Sequence, residues 1–129
     1  MIVVDASVVL ELLRGTPAGR QAEARLFQPG ETLHAPALLD LEVLQVLRRF
    51  AAAGELKPAR AHEAVEDLAA LPITRHPHAL LIARIWELRR HVTAYDAAYL
   101  ALGEALGAIV LTRDAGMAHA RCRTRVEMV

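Results

Sequence analysis

The sequence is short of several things, and each shortage narrows its chemistry. It has one cysteine, Cys122, so no internal disulfide can form and no second thiol is available for a structural zinc site. Apolar runs such as Met1–Val4 and Ala35–Leu39 fall far below the roughly 20 residues of a membrane-spanning helix. The N-terminus leads straight into a strand-like run. It has no basic region, long apolar stretch or small-residue cleavage site of a secretory signal, which predicts a cytoplasmic protein with no membrane contact. Aromatic residues make up only 4% of the chain, too few for nucleic-acid affinity built on base stacking. Net charge is also missing: 15 basic and 15 acidic residues cancel, which counts against binding a polyanion through overall charge.

Apolar material, by contrast, is ample. At 129 residues and 54% hydrophobic the chain can bury one core, and we read residues 1–129 as a single domain. Lys57 is the only lysine, and Arg113, Arg121, Arg123 and Arg125 gather near the C-terminus. Arginine pairs bidentately with phosphate or carboxylate, so this group suits a nucleic acid, an acidic protein partner or plain solvation.

Short β-type runs alternate with longer stretches of helical period. Strands are expected at Ile2–Asp5, Thr32–Ala35, Pro72–Thr74, Ile109–Thr112 and Arg125–Val129. Helices are expected at Ala6–Arg14, Ala18–Phe27, Pro58–Leu71, Ala79–Arg90, Thr93–Leu106 and Ala115–Ala120. A further helix should start at Pro36 and carry the apolar stripe Leu39, Val43, Val46, Leu47, Phe50 to Gly54. Strands separated by helices and joined by no hairpin turn imply parallel pairing, hence an open α/β sheet covered on both faces. Such sheets bind ligands beyond the carboxyl ends of their strands.

Four acids bear on that edge. Asp5 closes the first strand, Asp114 follows Ile109–Thr112, and Asp96 lies in the first turn of a helix that starts at the same edge. Glu42 borders an apolar stripe, with Leu38 and Val46 four residues either side and no cation placed to pair it. Each has an ordinary structural explanation: Asp5 and Asp114 as helix caps, Asp96 with Thr93 in a capping box, Glu42 as a surface glutamate. Their joint placement is what argues for more. Two carboxylates about 4 Å apart repel by roughly 4 kcal/mol at an effective dielectric of about 20, and a hard divalent cation relieves that repulsion. An all-oxygen set suits Mg²⁺, and metal with phosphate oxygens suits phosphodiester hydrolysis.

In their contexts these acids resemble the PIN-domain nucleases, specifically the VapC toxins of type II toxin–antitoxin pairs. The segments V-V-D-A-S-V-V-L at Val3–Leu10, A-P-A-L-L-D-L-E-V around Glu42, T-A-Y-D-A-A-Y-L-A-L at Thr93–Leu102 and L-T-R-D at Leu111–Asp114 match in order and spacing across the chain. The resemblance implies a three-layer α/β/α domain with a central, mainly parallel sheet of four to five strands. It also implies a Mg²⁺ or Mn²⁺ site and cleavage of single-stranded regions of RNA that arrests translation. A cognate antitoxin and a homodimer are the partners it implies. Asp5, Glu42, Asp96 and Asp114 match the catalytic acids, with Asp5, Asp96 and Asp114 as metal ligands and Glu42 orienting a ligand or water. Ser7 and Thr112 match supporting hydroxyl positions, and Arg113 and Arg121 become candidate contacts to RNA or antitoxin. Met117 stands where some members carry a further acid, which puts a second metal in doubt.

Other features carry less. His76 and His78 flank Pro77 at an expected strand-to-helix turn and suit a structural role better than metal. Asp40 should face water, and Trp86 and Leu88 suit core or dimer surface. A receiver-type signalling domain also places acids and Mg²⁺ at strand ends. It needs a lysine near a late strand and usually paired acids after the first, whereas Lys57 opens a helix and Asp5 is followed by Ala6. A catalytically silent PIN-like binding module is the other rival, and the presence of all four acids weighs against it.

Overall fold

The computed structural model describes residues 1–129. Five strands, β1 (Ile2–Val4), β2 (Leu33–Pro36), β3 (Ile73–His76), β4 (Ile109–Thr112) and β5 (Val126–Met128), form one sheet in the order β3-β2-β1-β4-β5. Every pairing is parallel, as expected of strands that alternate with helices. Around the sheet lie α1 (Ala6–Arg14), α2 (Pro17–Leu26), α3 (Leu38–Ala52), α4 (Pro58–Ala70), α5 (Ile82–Glu87), α6 (Ala94–Leu106) and the short α7 (Ala115–Ala118).

The centre of the sheet is β1, and Ile2, Val3 and Val4 are fully buried, as a strand covered on both faces requires. From β1 the chain builds outward to β2 and β3, then returns to the other side of β1 for β4 and β5. The direction of winding therefore reverses between β1 and β4, and that reversal opens a crevice at the carboxyl ends of these two strands. The helix α6 packs against β1, β2 and β4 and buries every residue from Ala97 to Gly103. Its small residues bring the helix close to the sheet while Tyr99, Leu100 and Leu102 fill the core.

Several boundaries moved for identifiable reasons. Pro36 ends β2 and does not open a helix: it is paired in register with His76, and α3 begins only at Leu38. A proline at the last residue of a strand leaves the next amide, that of Ala37, to donate to the His76 carbonyl at 2.8 Å. The strand β3 reaches to His76, two residues past the expected end, because Arg75 anchors it. The Arg75 guanidinium donates to the Leu68, Leu71 and Ile73 carbonyls and pairs with Asp40 at 2.9 Å. The expectation that Asp40 faces water is thereby corrected. His76 hydrogen-bonds His34 across the strands at 3.0 Å, a structural role. The Ala79–Arg90 helix breaks into α5 between two 3₁₀ turns, with Leu88 in the core. Trp86 is not core, being 66% exposed beneath the Arg89 guanidinium.

Gly19 marks the closest approach of α2 to α1, since a Cβ built there falls 2.1 Å from the Glu11 carbonyl oxygen. Gly19→Ala is expected to destabilise the chain by about 1–3 kcal/mol through overpacking, measured as a lower midpoint in urea unfolding. An unchanged midpoint would show that α1 and α2 separate freely.

Candidate functional site: an acidic cavity at the sheet's carboxyl edge

The carboxyl end of β1 places Asp5 almost fully buried, at 5% exposure, beside the end of β4. Asp5 occupies the position preceding α1 with extended backbone, yet its side chain caps nothing. Its Oδ2 accepts hydrogen bonds from both Ser7 Oγ and Thr112 Oγ1, the latter at 2.8 Å. Those hydroxyls accept in turn: Ser7 Oγ from the Arg113 amide and Thr112 Oγ1 from the Asp114 amide, each at 3.0 Å. The arrangement saturates one carboxylate oxygen and leaves Oδ1 without a protein donor.

The other acids arrive from three further elements. Glu42 projects from the second turn of α3, and Tyr99 of α6 donates its hydroxyl to Glu42 Oε1 at 2.8 Å. Asp96 lies in the first turn of α6, whose N-terminus is capped by Thr93 accepting from the Asp96 amide at 3.2 Å. Asp114 does cap, with Oδ1 accepting from the Gly116 amide at 2.7 Å, and its second oxygen stays free. All four acids, together with Ser7, line one open cavity of about 560 Å³.

Burial and the closeness of the acids to one another set the electrostatics of the site. Burial pushes the Glu42 carboxyl up, the Tyr99 hydrogen bond partly opposes this, and the charges of Asp5 and Asp96 push it further. Burial likewise raises Asp96, followed by the charges of Asp114 and Asp5. The Tyr99 hydroxyl, buried against Glu42 and Asp5, is held protonated far above its ordinary range and can only donate to the carboxylate. No three acidic, histidine or cysteine side chains already close on a single metal-sized position. A loose, all-oxygen set with free carboxylate oxygens nonetheless fits Mg²⁺ or Mn²⁺, which keep several waters and take few protein ligands.

Of the other sequence candidates, Arg113 gives its guanidinium to the Val129 carbonyl at 3.0 Å, and neither it nor Arg121 lines the cavity. Met117 is fully buried in the core, so the turn after Asp114 offers no further acid. The sequence reading missed Tyr99, Gln45 and Arg49. Tyr99 gave no local signal, because its partner lies 57 residues away, and a helical tyrosine among alanines and leucines looks like ordinary core.

With this geometry, the chain compares well with known proteins. The PIN domain matches residues 2–121. This protein is a member of the PIN-domain family. Within it, the chain is 42% identical to ribonuclease VapC9 of Mycobacterium tuberculosis over 114 residues, 88% of this chain and 86% of that protein. It therefore belongs to the VapC ribonucleases. Among solved structures, the sarcin-ricin loop cleaving toxin VapC20 of M. tuberculosis superposes with a TM-score of 0.71 at 18% identity, covering 95% of this chain and 96% of that one. A toxin–antitoxin complex from Klebsiella pneumoniae gives 0.67 at 17% identity, covering 92% and 91%. At these identities the two likenesses establish the fold. No helix is long and apolar enough to cross a membrane.

Glu42→Gln tests the crowding of charge, because glutamine can still accept from Tyr99. A carboxyl whose folded pKa is raised stabilises below its unfolded value, and that stability is lost as pH rises through the folded value. At neutral pH the metal-free Glu42→Gln chain is therefore expected to melt at a higher temperature than wild type. The gap should close as pH falls towards the ordinary carboxylate range and wild-type Glu42 takes up its proton. Thermal melts with and without Mg²⁺ check this, and a pH-independent gap would contradict it.

Proposed function

We propose that this chain is a metal-dependent endoribonuclease, the toxin of a type II toxin–antitoxin pair, which cuts single-stranded regions of RNA by water attack in line with the leaving oxygen. The observation that carries the reading is the convergence of Asp5, Glu42, Asp96 and Asp114 on one cavity at the β1–β4 crevice, with Asp5 Oδ1 and one Asp114 oxygen free of protein donors. Membership of a ribonuclease family and the RNA-cleaving activity named for VapC20 support it.

In this reading Asp5, Asp96 and Asp114 hold Mg²⁺ or Mn²⁺. When bound, the cation supplies Lewis-acid stabilisation of charge on the phosphate and acidifies water. Ser7 and Thr112 fix the Asp5 carboxylate so that its free oxygen faces the cavity. Tyr99 holds one Glu42 oxygen, and the other orients the attacking water; the raised proton affinity of Glu42 suits it to accept that water's proton. The products are a 3′-hydroxyl and a 5′-phosphate.

The partners follow from the surfaces beside the cavity. An apolar groove of about 410 Å³, lined by Ile82, Ile85, Trp86 and Ala98, shares Leu38 and Tyr95 with the acidic cavity. We assign it to a cognate antitoxin, which would cover the groove and place an arginine or other cation among the carboxylates. The toxin–antitoxin complex from Klebsiella supports a partner of that class. Exposed Leu44 and Val65 on α3 and α4 supply an apolar surface for a homodimer.

The purified, antitoxin-free chain is expected to cut single-stranded RNA with Mg²⁺ or Mn²⁺ and to stop on addition of EDTA. Asp5→Asn and Asp96→Asn should each lower kcat/KM by about 100-fold or more, since disturbing even the partners of metal ligands can cost that much. End-labelling of the fragments checks the 3′-hydroxyl. Variants that cut as well as wild type would overturn the mechanism, and an inert wild-type chain would favour a silent binding module.

A further inference from the structure

A cavity with four carboxylates has to admit a polyanion, and one divalent cation offsets only part of that charge. Among the residues lining the cavity, Arg49 is the one cation. It lies on α3 seven residues after Glu42, two helical turns less about 20°, so both face the same way about 10 Å apart along the axis. Gln45 and Val46 lie between them on that face, and both also line the cavity. Arg49 is exposed and has no carboxylate within ion-pair distance. Other arginines of the fold are engaged: Arg25 with Glu31 and Glu127, Arg75 with Asp40, Arg84 with Glu87 and Glu104. A free guanidinium beside an acidic cavity is the group expected to meet phosphate, which it can bind through two parallel N–H donors.

We infer that Arg49 forms a substrate subsite, binding an RNA phosphate that flanks the scissile one and so leading the strand along α3 into the acidic cavity. The inference rests on the ribonuclease reading above. It places the electrostatic attraction for RNA on the wall of the site and not on the C-terminal arginines, and it explains how a chain of zero net charge can take a polyanion.

The test is steady-state cleavage of a quenched, random-sequence single-stranded oligoribonucleotide in Mg²⁺ across a KCl series. Arg49→Gln is expected to raise KM about five- to tenfold, the loss of one solvent-accessible charged contact, with kcat within about twofold of wild type. Loss of one phosphate contact should make the slope of log(kcat/KM) against log[KCl] shallower by about 0.7. Arg49→Lys should restore the slope. Arg123→Gln is the charge-matched control, since Arg123 sits with Gly107 and Ile109 at the opposite edge of the sheet, and it should change neither quantity. If wild type cleaves and Arg49→Gln keeps both KM and slope, the subsite is refuted while the nuclease reading stands. It is refuted equally if the variant loses only affinity for the antitoxin. If wild type cuts no RNA, the proposed function itself falls and the subsite with it.

Discussion

A carboxylate at the end of the central strand has to be made tolerable, and the way this is done at Asp5 organises the whole edge of the sheet. Burying an unpaired charge costs several kcal/mol unless hydrogen bonds replace the lost water. No cation supplies them here. Two hydroxyls do, Ser7 from the first turn of α1 and Thr112 from the end of β4. Each is held by a backbone amide of the Arg113–Asp114 turn, so the junction fixes β1, β4, α1 and the position of Asp114 relative to one another. It also divides the labour within a single side chain: one oxygen serves the fold and the other has no protein donor.

The remaining acids are held by different means, and the difference matters for chemistry. Asp114 is tied locally by its own cap, and Asp96 follows from the capped start of α6. Glu42 depends on tertiary packing, through a tyrosine that α6 carries into the core. The fold thus accepts the burial, and after it the mutual repulsion, that raise Glu42 and Asp96, a sign that this edge was arranged for something other than stability. The net charge of zero conceals that local excess of negative charge, and the arginines that balance it are spread through ion pairs elsewhere in the fold.

Where sequence reasoning succeeded, the physics was local or periodic. The β-branched run at Ile2–Val4, the apolar stripe of α3, the glycine that ends α6 and the threonine that starts it all act within a turn or two of the chain. Parallel pairing followed from the lack of hairpin turns. It failed where a distant partner outweighed a local preference. Pro36 is a good helix opener, yet pairing with β3 keeps it in the sheet. Asp40 has a solvent-facing position until Arg75 reaches it from β3. The capping reading of Asp5 was equally sound locally and was overruled by a hydroxyl 107 residues away.

Residue order alone was enough to show which acids are available, how strands and helices succeed one another, and to which edge of the sheet Asp5, Asp96 and Asp114 belong. These follow from short-range preferences and from the rule that parallel strands point the same way. Three features emerged only once the chain was folded: Asp5 is a hydroxyl-bound hinge between β1 and β4, Glu42 turns inward against Tyr99, and Arg49, not the C-terminal arginines, stands at the cavity wall. For Asp5 and Glu42 the reason is that a side chain at the rim of a core is directed by whichever partner satisfies its charge or hydrogen bonds, and those partners come from elsewhere in the chain; for Arg49 it is that the wall of the cavity is assembled from several elements, so no stretch of sequence shows which cation borders it.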